Sequence, residues 1–525
     1  MTRINTNVAS LLGQRVLRTN NTDLETSLER LSTGLRINRG KDDPAGLIAS
    51  ENLRAEVAGL DQAISNAERA DQVVNIAEGG LNEISSLLTE LQSLVTQTAN
   101  EGGLSLEEKE ANQLQIDSIL QTIDRVASAT SFQDLKLLNG NMDYDTANVS
   151  AVVNNFSVNG AKLGFEETRD VQVLVTQSAQ VASLYLSAGG TELNLGGAGA
   201  SDGASEQFVI EIRGPEGARE LSFSSGTELT VIRDTINSFS SVTGVEASVV
   251  NSGGSNGIML NSSGYGASEF VGVEVIDDGA IGTGSNIGIY DTLAADANAL
   301  DTTIRSTYAN ADTGLRDSGQ NVRATVNGIA ATSNGTEVSI NTDFLDVTID
   351  LAYDLANPSA AMLGEVNAFT IKGGGADFQL SSRVNIAGRV SLGISNVAVR
   401  ELGRTLMDFT GTNKEYLLKD IGIGRELNAV DGNLDAAQEV VAQSIKEVSS
   451  LRGRLGAFQK NVIGATIRSL GVSMENTTAA ESTIRDTDFA SESSELTRSQ
   501  ILVTSATQVL GIANQQPQSA LQLLG

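Results

Sequence analysis

A chain of 525 residues with no histidine and no cysteine has few routes to chemistry. Histidine is the commonest general base near neutral pH and the commonest transition-metal ligand, so its absence removes Ser-His-Asp triads and H-E-x-x-H zinc sites. Without cysteine there is no thiolate nucleophile, thiolate metal site or disulfide. Carboxylates, hydroxyls, Lys and Arg remain, and three arrangements come nearest to a site. The run from Gly34 to Gly40-Lys41 looks loosely like a phosphate loop. Five residues separate its glycines where four are required, and Asp42 stands where Ser or Thr would hold magnesium. Asp486 and Asp488 have the spacing of two calcium ligands but lack the rest of a loop, so they read as a solvated helix start. Glycine clusters such as GGTELNLGGAGASDG are turns, because no GxGxxG follows a strand into a helix. Nothing in the spacing pairs the scattered carboxylates, and acceptor triplets such as Asn148-Val149-Ser150 are expected by chance in a chain rich in Asn and Ser. The expectation is no catalytic residue, no cofactor and no metal: a protein that is not an enzyme.

Charge narrows the partners. The chain carries 65 acidic and 35 basic residues, a formal net charge of -30. Nucleic-acid binding needs a basic patch, and no block of Lys or Arg stands out, so a DNA or RNA partner is not expected. Dispersed negative charge gives a heavily solvated surface. No apolar run approaches the roughly 20 residues of a membrane span, so no membrane insertion is expected. The start, MTRINTNVASLLGQ, lacks the roughly 7–15-residue apolar core of a cleaved secretory signal. Export, if it occurs, is expected by another route.

The elements that must position any functional residue divide by place in the chain. The two ends read alike and the middle does not. A first helix is predicted over about 4–35, with Ile4, Val8, Leu11 and Leu12, then Leu24, Leu28, Leu31 and Leu35 after a stutter at Arg15 and Arg18. Gly34 is its expected stop. Asp43 as N-cap and Pro44 at the first helical position open a second helix over about 44–100. Leu53, Val57, Leu60, Ile64, Leu81, Ile84, Leu88 and Leu91 keep its 3.5-residue beat, which is usual in coiled coils. Ser105 and Glu108 form a capping-box pattern for a third helix. A last long helix is predicted over 426–471, with Leu427, Val430, Leu434, Val441, Ile445 and Leu455. An amphipathic tail over 480–525 carries Leu496, Val503, Val509 and Leu510 to a stop near Gln516-Pro517, then Leu521 and Leu524.

Residues 141–400 change to Gly-rich punctuation and alternating strands. Between 205 and 278 the pattern is strand, strand, helix, then two or three strands; FVIEI and Val271, Val273 and Val275 mark strands, and Leu229, Ile232 and Ile236 the helix face. A second β-rich unit is expected over about 320–400, with hairpin turns at Asn327-Gly328 and Asn334-Gly335. Long amphipathic helices at both ends must pair with each other, with neighbouring copies, or with both. Stripes left exposed would be a large apolar liability, and they suit segments that order on association.

These residues resemble a known family. LSTGLRINRGKDDPAGL (31–47) closely resembles the turn signature after the first helix of bacterial flagellins, with Arg36, Ile37, Asn38, Asp42 and Asp43 as its polar and apolar markers. IAEGGLNEI (76–84) is similar to the family's second-helix core. AAESTIRDTDFASE (479–492) and TRSQILVTSATQVLGIANQQPQSALQLLG (497–525) resemble its C-terminus. The resemblance covers about 1–140 and 401–525, and residues 205–278 look like a small β module that recurs in flagellins and hook-associated proteins.

The resemblance implies an α+β fold, in which both chain ends form a long antiparallel helical coiled-coil bundle and the middle supplies inserted β-rich outer domains. It implies tail helices of an inner filament core at 1–40 and 476–525, and a helical shell at 41–140 and 401–475. It also implies that Leu11, Leu12, Leu510 and Leu521 pack in that core. The implied function is a structural subunit that polymerises into the flagellar filament for swimming. Its implied partners are further copies of itself, an export chaperone at the C-terminal tail, the filament cap protein and the hook-associated junction proteins. The implied location is extracellular, after type III export. A hook–filament junction protein shares both terminal patterns and is the alternative. One departure has consequences: many flagellins carry Arg-x-Arg-Glu-Leu where this chain has Glu90, Gln92, Ser93 and Leu94. An animal innate-immune receptor reads those arginines, so weak activation of that receptor is expected.

Overall fold

The computed structural model describes residues 6–100, 103–164, 166–195, 207–252, 255–281, 287–293, 296–351, 364–408 and 413–524. Helices stand at both ends and strands fill the middle, an α+β order. The principal helices are α1 (Val8–Thr33), α2 (Pro44–Thr98), α3 (Leu106–Ala129), α4 (Leu229–Asn237), α5 (Leu434–Ala457), α6 (Gly464–Arg485) and α7 (Phe489–Leu524). The chain divides into two compact units: 1–78 with 378–390 and 453–525, and 79–377 with 391–452.

Capping chemistry sets several helix ends where the sequence places it. The Asn7 side chain accepts from the Ser10 N–H at the start of α1. Gly34 ends that helix in the left-handed region at φ 73°, with its N–H on the Arg30 carbonyl at 2.8 Å. The Asp43 carboxylate accepts from the Gly46 N–H at 2.9 Å, and Pro44 is the first residue of α2. Ser105 and Glu108 form the reciprocal capping box of α3.

Three sequence expectations are corrected. The last long helix begins at Leu434, not 426. Asn428 accepts from the Val430 and Asp431 N–H groups through its side chain, a local turn that competes with helix, and Asn433 then caps through the Ala436 N–H. Val430 therefore lies in the turn. From Leu434 the chain is helical to Arg485 through a π-helical stretch at Phe458–Ile463, so the helix does not end at 471. The tail does not stop at Gln516-Pro517, since α7 runs to Leu524. Proline lacks the N–H that would bond the carbonyl four residues back. That carbonyl, of Ala513, instead accepts from the Asn7 side-chain amide at 2.7 Å.

In the second unit, Leu81, Ile84, Leu88 and Leu91 of α2, Ile116 and Ile123 of α3 and Val440 and Val441 of α5 are buried. Gln113 ties α3 to the 421–429 segment, donating to the Ile421 carbonyl and accepting from the Ala429 N–H. The β-rich middle forms two nested units. The inner one joins a five-stranded sheet (order Asp296–Ser306, Gly288–Leu293, Ser183–Ser187, Ser255–Ser262, Val245–Ser252) and a four-stranded one (Leu315–Ser318, Phe270–Asp277, Gln207–Arg213, Ala218–Ser224). Both bury residues in one cluster with Leu229, Ile232 and Ile236 of α4. The outer unit is not confined to 320–400. Strands Val153–Ala161 and Arg169–Gln177, before the inner unit, pair with Leu345–Leu351 and Gly364–Gly374 after it. Asn327-Gly328 forms the expected hairpin turn, both residues with positive φ. At the second hairpin Asn334 is the last strand residue and pairs with Glu337, so the turn is Gly335-Thr336.

Candidate assembly surface

The nearest approaches to chemistry are occupied by the backbone. Asp42 accepts from the Asn38 and Arg39 N–H groups at 3.2 and 2.8 Å, the donors a phosphate would need. The Arg39 N–H holds its carboxyl below the usual range. Asp488 caps α7 through the Ala490 and Ser491 N–H groups, and Asp486 accepts from the Ser482 hydroxyl. Among the described residues no group of three or more acidic side chains is placed to hold a metal.

The turn residues instead join the two ends of the chain. The Arg36 N–H donates to the Arg485 carbonyl at 2.7 Å, and its guanidinium donates to the Ile484 carbonyl. Thr487 N–H donates back to the Gly34 carbonyl at 3.0 Å. Ile37 is fully buried, and the Asn38 amide donates to the Leu35 carbonyl. A Cβ on Gly46 would stand 2.4 Å from the Asp43 carboxylate and 2.7 Å from Ile37, so this turn admits only glycine there without movement. Arg485–Glu51 and Arg54–Glu481 ion pairs then hold α2 to α6.

Beyond that joint, α1 and α7 run antiparallel. Ser10 hydroxyl donates to Asn514 at one end, and Arg30 faces Glu492 at 3.6 Å at the other. The seam between them is built of small and polar residues at heptad spacing. Ser10, Gly13 and Ser27 are buried on α1, and Glu492, Ser499, Ala506 and Ala513 on α7. A Cβ on Gly13 would meet Leu510 at 3.2 Å, a measure of how closely the backbones approach. Leu24, Leu31, Leu496, Val503 and Leu510 are half-buried along this seam.

Narrow seams leave the large apolar side chains outside. Val8, Leu12, Ile501, Val509 and Ile512 keep between 51 and 67 % of their surface exposed, and Leu11, Val16, Leu28 and Leu502 are also exposed. Val8, Leu12 and Val16 recur every fourth residue, so they form one row. A groove of about 390 Å³ runs beside that row, walled by Leu12, Gly13 and Val16 of α1 and Leu502, Ala506 and Val509 of α7. This is a continuous apolar face of the kind that marks an interface. The sequence pattern marked Leu11, Leu12 and Val509 but missed Val16, Ile501, Leu502 and Ile512. The heptad run of small residues at 499, 506 and 513 was the signal that would have turned them outward. Ile4 lies outside the described residues, as do the side chains of Leu521 and Leu524.

The remaining marked residues divide by burial. Leu60, Leu81, Ile84, Leu88, Leu91, Val441 and Leu455 are buried, and Leu53, Val57, Ile64, Leu434 and Ile445 are half-buried. Glu90 is exposed, Gln92 half-buried and Leu94 buried.

Comparison with known proteins places these elements. Residues 4–143 match the bacterial flagellin N-terminal helical region, residues 438–524 the bacterial flagellin C-terminal helical region, and residues 208–264 the flagellin hook IN motif. A flagellin of Salmonella muenchen is 30 % identical over 556 residues, spanning 99 % of each chain. Flagellin B of Helicobacter pylori (strain ATCC 700392 / 26695) is 27 % identical over 544 residues, again spanning 99 % of each. The D1-D2-D3 domains of the flagellar cap protein from Escherichia coli align over 73 % of this chain and 99 % of that one. Their 14 % identity and TM-score of 0.26 carry no assignment.

Proposed function

The chain belongs to the flagellin family, and on that premise we propose that it is the structural subunit of a flagellar filament, polymerising through coiled-coil packing of its N- and C-terminal helices. The observation that carries this reading is the apolar face on the α1–α7 pair. Large side chains stand outward from a seam already closed by small ones, so the pair is finished internally and unfinished externally. Covering a Leu, Ile or Val contributes about 1.5–3 kcal/mol when fully buried. A head-to-tail contact that does not close produces an open helical polymer.

In this reading residues 1–40 and 476–525 form the inner core, 41–140 and 401–475 the surrounding helical shell, and 141–400 the outer domains. The subunit works outside the cell in swimming motility. Its partners are other copies, an export chaperone at the C-terminal tail, the cap protein under which it adds, and the hook-associated junction proteins. The test is electron microscopy of purified monomer at neutral pH with short filament seeds. Long uniform filaments growing from seeds are expected. Monomers that bind seed ends and never elongate would replace the filament reading with the junction protein.

A further inference from the structure

The groove on the α1–α7 pair is apolar at one end and acidic just past the other. Gly13, Val16 and Asn20 wall it along α1, and Asp23 continues that row one turn beyond, completing a 3-4-3 spacing. A second stripe of the same helix repeats the spacing with Val8, Leu11, Arg15 and Arg18. At 3.6 residues per turn this stripe lies roughly 140° around the helix from the groove row, so the two belong to different faces. They correspond position by position with a shift of five residues: 8 with 13, 11 with 16, 15 with 20 and 18 with 23. Val8 then falls on Gly13, where no side chain blocks it, and Leu11 on Val16. Arg15 falls on the Asn20 amide and Arg18 on the Asp23 carboxylate. All four stripe residues and Asp23 are exposed. Among the described residues the side chains of Arg15, Arg18 and Asp23 have no ion-pair partner.

We infer that the groove receives the Val8–Arg18 stripe of α1 from a second copy, parallel to its own α1 and advanced about 7.5 Å along it, with Arg18 paired to Asp23. This contact rests on the filament reading and gives it a polarity. A stripe on one face entering a groove on another is heterologous, and the axial step keeps it from closing. An antiparallel α1 would lay the Arg18 guanidinium on the apolar end and Val8 against Asp23. The α7 helix of a neighbour could fill the groove but not answer Asp23, because residues 499–525 contain no charged side chain. The apolar residues supply the adhesion, and the ion pair at the rim fixes direction and register.

Charge exchange in the full-length chain tests this, read as the critical concentration for growth from wild-type seeds. Arg18→Glu alone and Asp23→Arg alone are each expected to raise it at least about tenfold, with helicity unchanged by circular dichroism. An equimolar mixture of the two variants is expected to elongate at close to the wild-type concentration. In alternate copies the new glutamate of one meets the new arginine of the other, and the untouched Arg18 meets the untouched Asp23. Arg18→Glu/Asp23→Arg in one chain should recover in the same way. A loss confined to helix stability would not be repaired by mixing. Wild-type elongation by either single variant, or a mixture and a double variant no better than the singles, would overturn the contact while leaving the filament reading intact. Failure of the wild-type chain itself to elongate would overturn both.

Discussion

Replacing Leu12 with Asp separates folding from assembly, because Leu12 leaves 51 % of its surface to solvent in the isolated chain. Completing its burial between copies would contribute about 1 kcal/mol, roughly half of a full leucine burial. Aspartate forfeits that and carries a carboxylate into a dry contact, at a cost of about 2–4 kcal/mol. The sum, about 3–5 kcal/mol per added subunit, raises the critical concentration by roughly a hundred- to a few thousandfold at tenfold per 1.4 kcal/mol. Leu12→Ala should fall near fivefold on the same scale. Leu510→Asp is a different perturbation. Leu510 is half-buried and packs on Gly13 inside the chain, so its loss unpairs α1 and α7 before any copy arrives. The assay is sedimentation across a concentration series with wild-type seeds, with far-ultraviolet circular dichroism as the folding control. Leu12→Asp chains that keep wild-type helicity and elongate at the wild-type critical concentration would refute the outward-face argument. Equal helicity loss in Leu12→Asp and Leu510→Asp would refute the distinction between face and seam.

Three further outcomes are expected. Asn7→Ala should fray the end of α7 by about 1 kcal/mol, because the Ala513 carbonyl loses the donor that replaces the missing N–H of Pro517. In Pro517→Ala the helix regains that N–H, so Asn7→Ala should no longer fray α7 and should retain only the loss of its cap on the Ser10 N–H of α1, a coupling that hydrogen exchange in a double-mutant cycle would read. Arg30→Ala should destabilise the α1–α7 pair by roughly 2 kcal/mol, because Glu492, only 8 % exposed, is left without its ion-pair partner. The exchange Arg30→Glu/Glu492→Arg should recover most of it in urea melts; no recovery would show that packing, not charge, sets the register. Burial raises the Asp350 pKa, against the hydrogen bond from the Thr336 hydroxyl at 2.5 Å. A raised folded-state pKa favours the neutral acid. Its contribution is therefore full below the unfolded value of about 3.9 and lost as pH rises through the folded one. Asp350→Asn should match the native chain near pH 3 and be the more stable of the two at pH 7, and thermal melts showing the reverse order would contradict the burial argument.

What the sequence made legible follows the range of the interactions. Caps are local, so Gly34, Asp43-Pro44 and the Ser105/Glu108 box could be placed from spacing alone, and each stands where spacing put it. Val271, Val273 and Val275 alternate because one face of their strand is buried, and all three are. The errors arose where a distant residue supplied what the local sequence lacked. Pro517 reads as a stop until Asn7, 506 residues upstream of the carbonyl it bonds, takes the orphaned acceptor. Strand Arg169–Gln177 alternates in the same way at Val171, Val173 and Val175, but its partners Arg323–Val326 and Gly364–Gly374 lie on the far side of an entire inserted unit, so its sheet could not be placed from the local pattern.

The assembly face was half legible for a related reason. A periodic stripe of Leu and Val reveals that a helix is amphipathic, but not which of two stripes meets its own chain. Large residues are the natural choice for an intrachain core, and at Leu81, Ile84 and Leu88 that choice is right. On α1 and α7 it is reversed. Serine, glycine and alanine are the buried residues of the intrachain seam, and Leu11, Leu12, Ile501 and Ile512 face out. In the proposed filament, a pair built this way gives up burial in the monomer and keeps it for contacts between molecules. That is why the same residues look like a folding defect in one copy and an interface in many.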